Sequence, residues 1–390
     1  MIRKFFLICT VVTMCSVMTV GVAMAADTVT IGIVCELSGS GAPAGMRWHR
    51  GVMMAMEEIN EAGGLLGKKI EPFSLDTKTE PPVSVAAMKK AIERKPFVIM
   101  GTVYSSSTVV NMHVLQKAGV PQITGSGAPA VTQQGNPNIF RTEFNTALSM
   151  KKVAVWLTDV LKVEKLAIIY TSDAMGKGLR DALVKLVEPK GVEIVADMAS
   201  EAGQVDFTGE FARVKSSGAD TFFVYLHEEE CGRLMAQAKD MGIDKTARIV
   251  GDGTLITEDA IRLAGDAANG VEAHVALSPV AEPLKPLADK YYKKYGEIAD
   301  HNFLKAYIGM QMVKAAVDEI GSFDQQKFRD FLHNRTLCVK DHPGILMDIH
   351  LDENGDVSKN SFIITVKDRK HVISSVLPPL NPALFEQCKP

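Results

Sequence analysis

The chain carries no basic stripe, no internal repeat and no low-complexity tract. Lacking a basic stripe, it is a poor candidate for binding nucleic acid or an anionic membrane surface. Its nine histidines are scattered, with no spacing that suggests a metal site. No serine or cysteine has a His/Asp partner that spacing can assign, so no catalytic set is evident. No cofactor is expected. With 46% apolar and 23% charged residues, the chain reads as an ordinary soluble globular protein.

What is present begins with an export signal over residues 1–25. Arg3 and Lys4 give a positive start, Phe5 to Val22 an apolar run, and Ala23-Met24-Ala25 the small-x-small site a signal peptidase needs. The alternative is a retained membrane anchor, since 18 residues can just span a bilayer. Thr10, Thr13, Cys15, Ser16 and Thr19 dilute the run and favour cleavage. Met14, before Cys15, lacks the small size of a lipoprotein signal. Export places the mature chain in the periplasm, where cytosolic ATP and NAD are not at hand, and makes binding the leading reading. The formal charge of −3 becomes about −5 without Arg3 and Lys4.

About 365 mature residues suggest two domains. Cleavage leaves Cys35, Cys231, Cys338 and Cys388, which allow three pairings that sequence cannot rank firmly. A Cys338–Cys388 bridge tying down the C-terminal tail is preferred, and free buried thiols are the alternative.

Hydrophobic periodicity predicts strand 29–34, helix 47–62, strand 69–75, helix 83–94, strand 97–100, helix 105–117 and strand 120–124. A Pro/Gly/Asn stretch, 125–138, then breaks the pattern. The rhythm resumes with helix 147–161, strand 166–170, helix 177–187, strand 192–196, helix 207–215, strand 221–226, helix 231–241 and strand 248–250. Residues 284–332 read as mostly helical, and Asn354-Gly355 is a two-residue hairpin signal. Such βαβα alternation implies α/β architecture with parallel sheets covered by helices.

Two turns carry the most chemistry. Ser105-Ser106-Ser107-Thr108 opens a helix after strand 97–100, where unpaired backbone N–H groups and the helix dipole favour an anion. Plain N-capping by one serine is the bland reading. Gly125-Ser126-Gly127 follows the next strand, and its glycines allow close approach of a ligand. Ligands of open α/β sheets bind at the carboxyl ends of the strands, so the pair points to a small carboxylate.

Other motifs are weaker. Gly39-Ser40-Gly41-Ala42-Pro43-Ala44 matches a dinucleotide fingerprint formally, but it stands off from the strand and Pro43 interrupts the turn. Ser149-x-x-Lys152 lacks the partners of an acylating enzyme and reads as helix surface. Asp352, Asn354 and Asp356 imitate a calcium loop whose Gly355 is misplaced, so a hairpin turn explains them better. Glu228-Glu229-Glu230 is ordinarily a solvated face, with Glu228 a candidate for a ligand cation. Trp48 is ordinarily core, with cleft lining the alternative.

Taken in order, Ile31-Gly32-Ile33, Leu37-Ser38-Gly39, Gly51, Ala55, Glu58-Ile59-Asn60, Gly63-Gly64 and Gly67-Lys68 resemble the opening of leucine/isoleucine/valine-binding proteins. Gly101, Ser105 to Thr108, Thr124-Gly125-Ser126, Phe140-Arg141-Thr142, Gly176, Gly178-Leu179, Asp206-Phe207 and Asn354-Gly355-Asp356 continue the likeness along nearly the whole mature chain. The resemblance implies a type I periplasmic binding protein of an ABC importer. Two Rossmann-like lobes, residues 27–144 with 276–345 and residues 145–275 with 346–390, would be joined by a three-strand hinge and close on a ligand. It implies further that Ser105 binds the ligand carboxylate and that Ser126-Gly127-Ala128 add polar contacts. Tyr104 and Ser106 join them as candidates. Family tyrosines correspond to Met175 and His227, an acid to Gly253 beside Asp252, and a pocket aromatic to Ala44. These departures fall on the side that reads the amine and side chain. Asp252 or Glu228 is then the partner for an ammonium, and a non-amino organic acid is the ligand if neither reaches. Partners implied are the importer's permease subunits, with the binding protein a monomer. A sensory subunit of a membrane receptor and an exported hydrolase using the same cleft are the alternatives.

Overall fold

A β-branched, apolar segment, β1 (Thr28–Cys35), is buried along almost its whole length, as the centre of a parallel sheet requires. In this computed structural model, which describes residues 27–201 and 203–389, β1 lies between β2 (Lys69–Asp76) and β3 (Val98–Met100). With β4 (Gln122–Thr124) and β5 (Ile139–Arg141) they form a five-stranded, all-parallel sheet of order β2-β1-β3-β4-β5. Helices α1 (Ala42–Glu61), α2 (Pro81–Glu93) and α3 (Ser105–Ala118) connect these strands.

A second unit repeats the rhythm. Helix α4 (Thr146–Val155) leads into β6 (Lys165–Thr171), α5 (Ala174–Val187), β7 (Glu193–Ser200), α6 (Thr208–Ser217), β8 (Thr221–Tyr225), α7 (Glu228–Asp240), β9 (Arg248–Asp252), α8 (Glu258–Ala264) and β10 (Glu272–Val275). These five strands are parallel. The chain then returns through α9 (Lys285–Tyr295), α10 (His301–Ile320) and α11 (Gln325–Leu332), and α10 packs along α1. Gly51 permits that approach, because a Cβ there would lie 2.4 Å from the Phe303 carbonyl oxygen. A small antiparallel sheet of β11 (Arg335–Leu337), β12 (Ile349–Leu351) and β13 (Val357–Ser358) follows. Finally β14 (Ser361–Lys367) and β15 (Lys370–Leu377) add an antiparallel edge to the second sheet, giving β15-β14-β10-β9-β8-β6-β7. The chain thus passes between the two sheets three times, after β5, after β10 and before β14.

Several expectations shift. Helix α1 starts at Ala42, five residues early, with Pro43 in its first turn, where a missing N–H costs nothing. Helix α7 starts at Glu228 rather than Cys231. Strands β5 and β10 lie where none was expected, being only three and four residues long. Asn354-Gly355 does sit in a hairpin, but residues 352–356 form a wider loop between β12 and β13. Cys338 and Cys388 are bridged, while Cys35 and Cys231 are buried free thiols. The export signal lies outside the described residues, and among those no helix is long and apolar enough to cross a membrane.

Candidate functional site

The parallel strands of both sheets point their carboxyl ends at one cleft of about 320 Å³. From the first sheet come Tyr104 and Ser105, at the start of α3, and Gly125 and Gly127, after β4. From the second come Met175 at the start of α5, Tyr225 at the end of β8, Glu228 at the start of α7, Asp252 at the end of β9 and Gly253 just after it. Glu143 and Phe144 enter from the first passage between the sheets, Ala276 from the second, and Asn302 and Lys305 from α10.

The first turn of α3 is built to face an anion. Thr108 makes the first intrahelical bond, to the Tyr104 carbonyl, so the N–H groups of Ser105, Ser106 and Ser107 precede the helical ladder. Glu36 occupies the turn just before it, accepting from the amides of Val103 (3.1 Å) and Tyr104 (3.3 Å). Burial pushes this carboxyl up from its ordinary value, partly offset by those amide bonds. Ser105 Oγ accepts from the Ala128 amide at 3.0 Å, joining the two polar turns, and its hydroxyl proton stays free for a ligand.

Four candidate contacts, and the alternative reading of Trp48 as cleft lining, are placed elsewhere. Ser126 is completely buried, its hydroxyl bonded to Thr108 Oγ1, Thr124 Oγ1 (3.0 Å) and the Val103 carbonyl (3.1 Å). It braces the turn from behind instead of facing the cleft. Ala128 gives its amide to Ser105 and its carbonyl to Arg141. Ser106 is exposed and off the lining. His227 is exposed as well, its Nε2 4.0 Å from Asp173. Trp48 is core, directly beneath Gly125, where a Cβ would approach its ring to 2.7 Å. Tyr104, Ser105, Gly127, Met175, Glu228, Asp252 and Gly253 do share the cleft, and Ala44 lines it with them.

Asp252 is the most perturbed acid of the site. Burial, and then the charge of Glu143, push it up to about 7, against the pull of the Thr254 and Gly253 amides. A desolvated carboxylate without a cationic partner gains most from a ligand ammonium.

Sequence reasoning missed Lys305, Glu143, Phe144 and His274. Lys305 is 4% exposed and donates to the Gly125 carbonyl at 3.0 Å. His274 is held near Ser149 Oγ (3.2 Å), and its Nε2 has no partner. Burial, then Lys152 and Lys359, press its pKa down to about 3, so it is neutral. The Ser149-x-x-Lys152 step is no helix surface either. Lys152 is buried, donating to the Lys359 carbonyl (2.7 Å) and to Ser361 Oγ (3.0 Å). One signal was readable: a lysine inside the otherwise apolar run Phe303–Met310, since lysines are rarely buried without purpose.

The model of the periplasmic binding protein family matches residues 28–370. A leucine-, isoleucine-, valine-, threonine- and alanine-binding protein of Pseudomonas aeruginosa is 27% identical, covering 88% of this chain and 90% of the relative. An amino acid binding protein of the same organism is 29% identical, covering 91% and 94%. Among solved structures, the branched-chain amino acid transporter substrate-binding protein LivJ of Streptococcus pneumoniae, in complex with isoleucine, superposes with a TM-score of 0.77 at 24% identity, covering 91% and 100%. A solute-binding protein of an ABC transporter from Rhodopseudomonas palustris, in complex with 3,4-dihydroxybenzoic acid, superposes with a TM-score of 0.77 at 22% identity, covering 91% and 98%. These superpositions establish a shared fold.

Proposed function

The chain belongs to the periplasmic binding protein family, and from that membership we propose that it is an exported solute-binding protein that captures an amino acid and delivers it to an ABC importer. One observation carries the ligand class: Ser105 at the start of α3 and the acids Asp252 and Glu228 line the same cleft. The α3 turn suits a carboxylate, and the two acids suit an ammonium. Because both acids reach the cleft, a non-amino organic acid is the less fitting ligand. The unpaired Nε2 of His274 adds a further polar point.

In this reading residues 27–144 with 276–345 form one lobe and residues 145–275 with 346–390 the other. A ligand touching both favours the closed form, which the permease subunits distinguish from the open one. The protein works as a periplasmic monomer after removal of residues 1–25, and it performs no chemistry of its own. The experiment is a thermal-shift screen of the mature protein against the common amino acids and a set of aliphatic and aromatic acids. Stabilisation that rises with concentration for one group of amino acids supports the reading. No shift anywhere in the panel refutes it.

A further inference from the structure

Three buried lysines gather around this cleft with no carboxylate in ion-pair contact among the described residues. Lys305 lines it and uses one proton on the Gly125 carbonyl. Lys152 and Lys359 flank the ring of Phe144, another lining residue, at 4.9 Å and 4.8 Å. All three are at most 4% exposed. Lys152 and Lys359 donate to carbonyls and a hydroxyl, and among the described residues none of the three is ion-paired. Glu143, another lining residue, draws most strongly on Lys305 and Lys359 but forms no ion pair with either, and Asp300 and Glu36 act on Lys305 more weakly. Asp300 caps α10 and pairs with Arg47 (3.4 Å), Glu36 is held by the amides before α3, and Glu143 accepts from the Phe144 amide.

Buried ammonium groups left in this state are costly. They repel one another as well: Lys359 works against Lys152, and Lys305 against Lys359, where Glu143 offsets part of the cost. Burial draws Lys152 down to about 7 and Lys359 to about 8. An anion near Phe144 and Lys305 would relieve both the desolvation and the repulsion. A ligand carboxylate held by the α3 amides is occupied there, and a second acidic group on the ligand would give Lys305 the direct partner that Glu143 does not.

We propose that Lys305 is a specificity-determining residue that takes a second acidic group, on the ligand's side chain, so that the preferred ligand is an acidic amino acid. This rests on the amino-acid reading of the cleft and narrows it. Its neutral isostere would leave the Lys305 ammonium without a partner, the kind of mismatch a site built for charge rejects.

The test is calorimetric titration of the wild type and Lys305→Met with L-glutamate, L-glutamine and L-leucine. The expected result is glutamate binding about tenfold or more tighter than glutamine in the wild type, with that ratio falling to about one in Lys305→Met. Equal affinities in the wild type, a preference for glutamine or leucine, or a ratio preserved in the variant would each overturn the proposal while leaving an amino-acid-binding protein in place. Should Lys305→Met not fold, the wild-type ratio alone decides. Absence of binding by every amino acid would remove the broader reading together with this one.

Discussion

Arg141 at the end of β5 and Asp356 in the β12–β13 loop form a buried ion pair, Nε to Oδ1 2.6 Å, with side chains at most 5% exposed. The same guanidinium donates to the carbonyls of Ser126 and Ala128 and to Thr132 Oγ1. Asp356 in turn accepts from Thr132 Oγ1 and Asn145 Nδ2. One pair therefore fixes the turn after β4, the passage toward α4 and the β12–β13 loop of the third sheet.

Removing one partner strands the other charge in a dry site. Asp356→Asn and Arg141→Met should each destabilise the protein by about 3–5 kcal/mol, read from urea unfolding. A cost below about 1 kcal/mol in both would show that water or a neighbour compensates. The stronger expectation concerns coupling: the double variant should cost much less than the sum of the two singles.

Ser105→Ala removes the hydroxyl between the Ala128 amide and the cleft. Ligand affinity should drop by about 1.5–3 kcal/mol, the range for a hydrogen bond to a charged group. Titration calorimetry measures it, and an unchanged Kd would take Ser105 out of the ligand's shell.

Asp252 links binding to pH. Its folded pKa of about 7 lies above an unfolded carboxyl near 3.9, so between these values the folded state holds more protons. Stability of the ligand-free protein should therefore fall as pH rises from about 4 to 7. An ammonium pairs with the ionised acid, so affinity should rise across about pH 6 to 8. Asp252→Asn should flatten both trends, and equal slopes in wild type and variant would contradict the assignment.

Lys152 behaves in the opposite region. Its folded value of about 7 lies below the ordinary 10.4, so the unfolded chain binds more protons between them and stability should rise with pH over that interval. Comparing Tm of wild type and Lys152→Met at pH 7 and pH 10 isolates the contribution. The variant should gain relative stability at pH 7 and lose that advantage at pH 10.

The Cys338–Cys388 bridge spans 50 residues, a loop worth about 4 kcal/mol in the chain-entropy model. Urea unfolding with and without reductant should show a loss of that order, and thiol counting on the native protein should find Cys35 and Cys231 unreactive because both are buried.

Much of this architecture was legible because long parallel strands and their helices leave clear periodic patterns. Segments such as Thr28–Cys35 and Lys165–Thr171 are apolar runs bounded by turns, and the polar turn at Ser105 stood out for the same reason. The short strands Ile139–Arg141 and Glu272–Val275 were not, since three or four residues carry too little period to detect. Ser126 illustrates the limit at the site. Its place after a strand was readable, but the direction of its hydroxyl depends on Thr108 and Thr124 behind it. The burial of Lys305 was readable from its apolar run, but its place in the site was not, because only the packing of α10 against α1 carries it beside Gly125.

The most direct measurement is a crystal structure of the mature protein with the ligand that stabilises it most. Density bridging Ser105 and Asp252 within the cleft, touched by residues of both sheets, is the predicted outcome. A ligand seated elsewhere, for instance in the open cavity of about 950 Å³ beside Lys95 and Arg329 at the other end of the first sheet, would contradict the account.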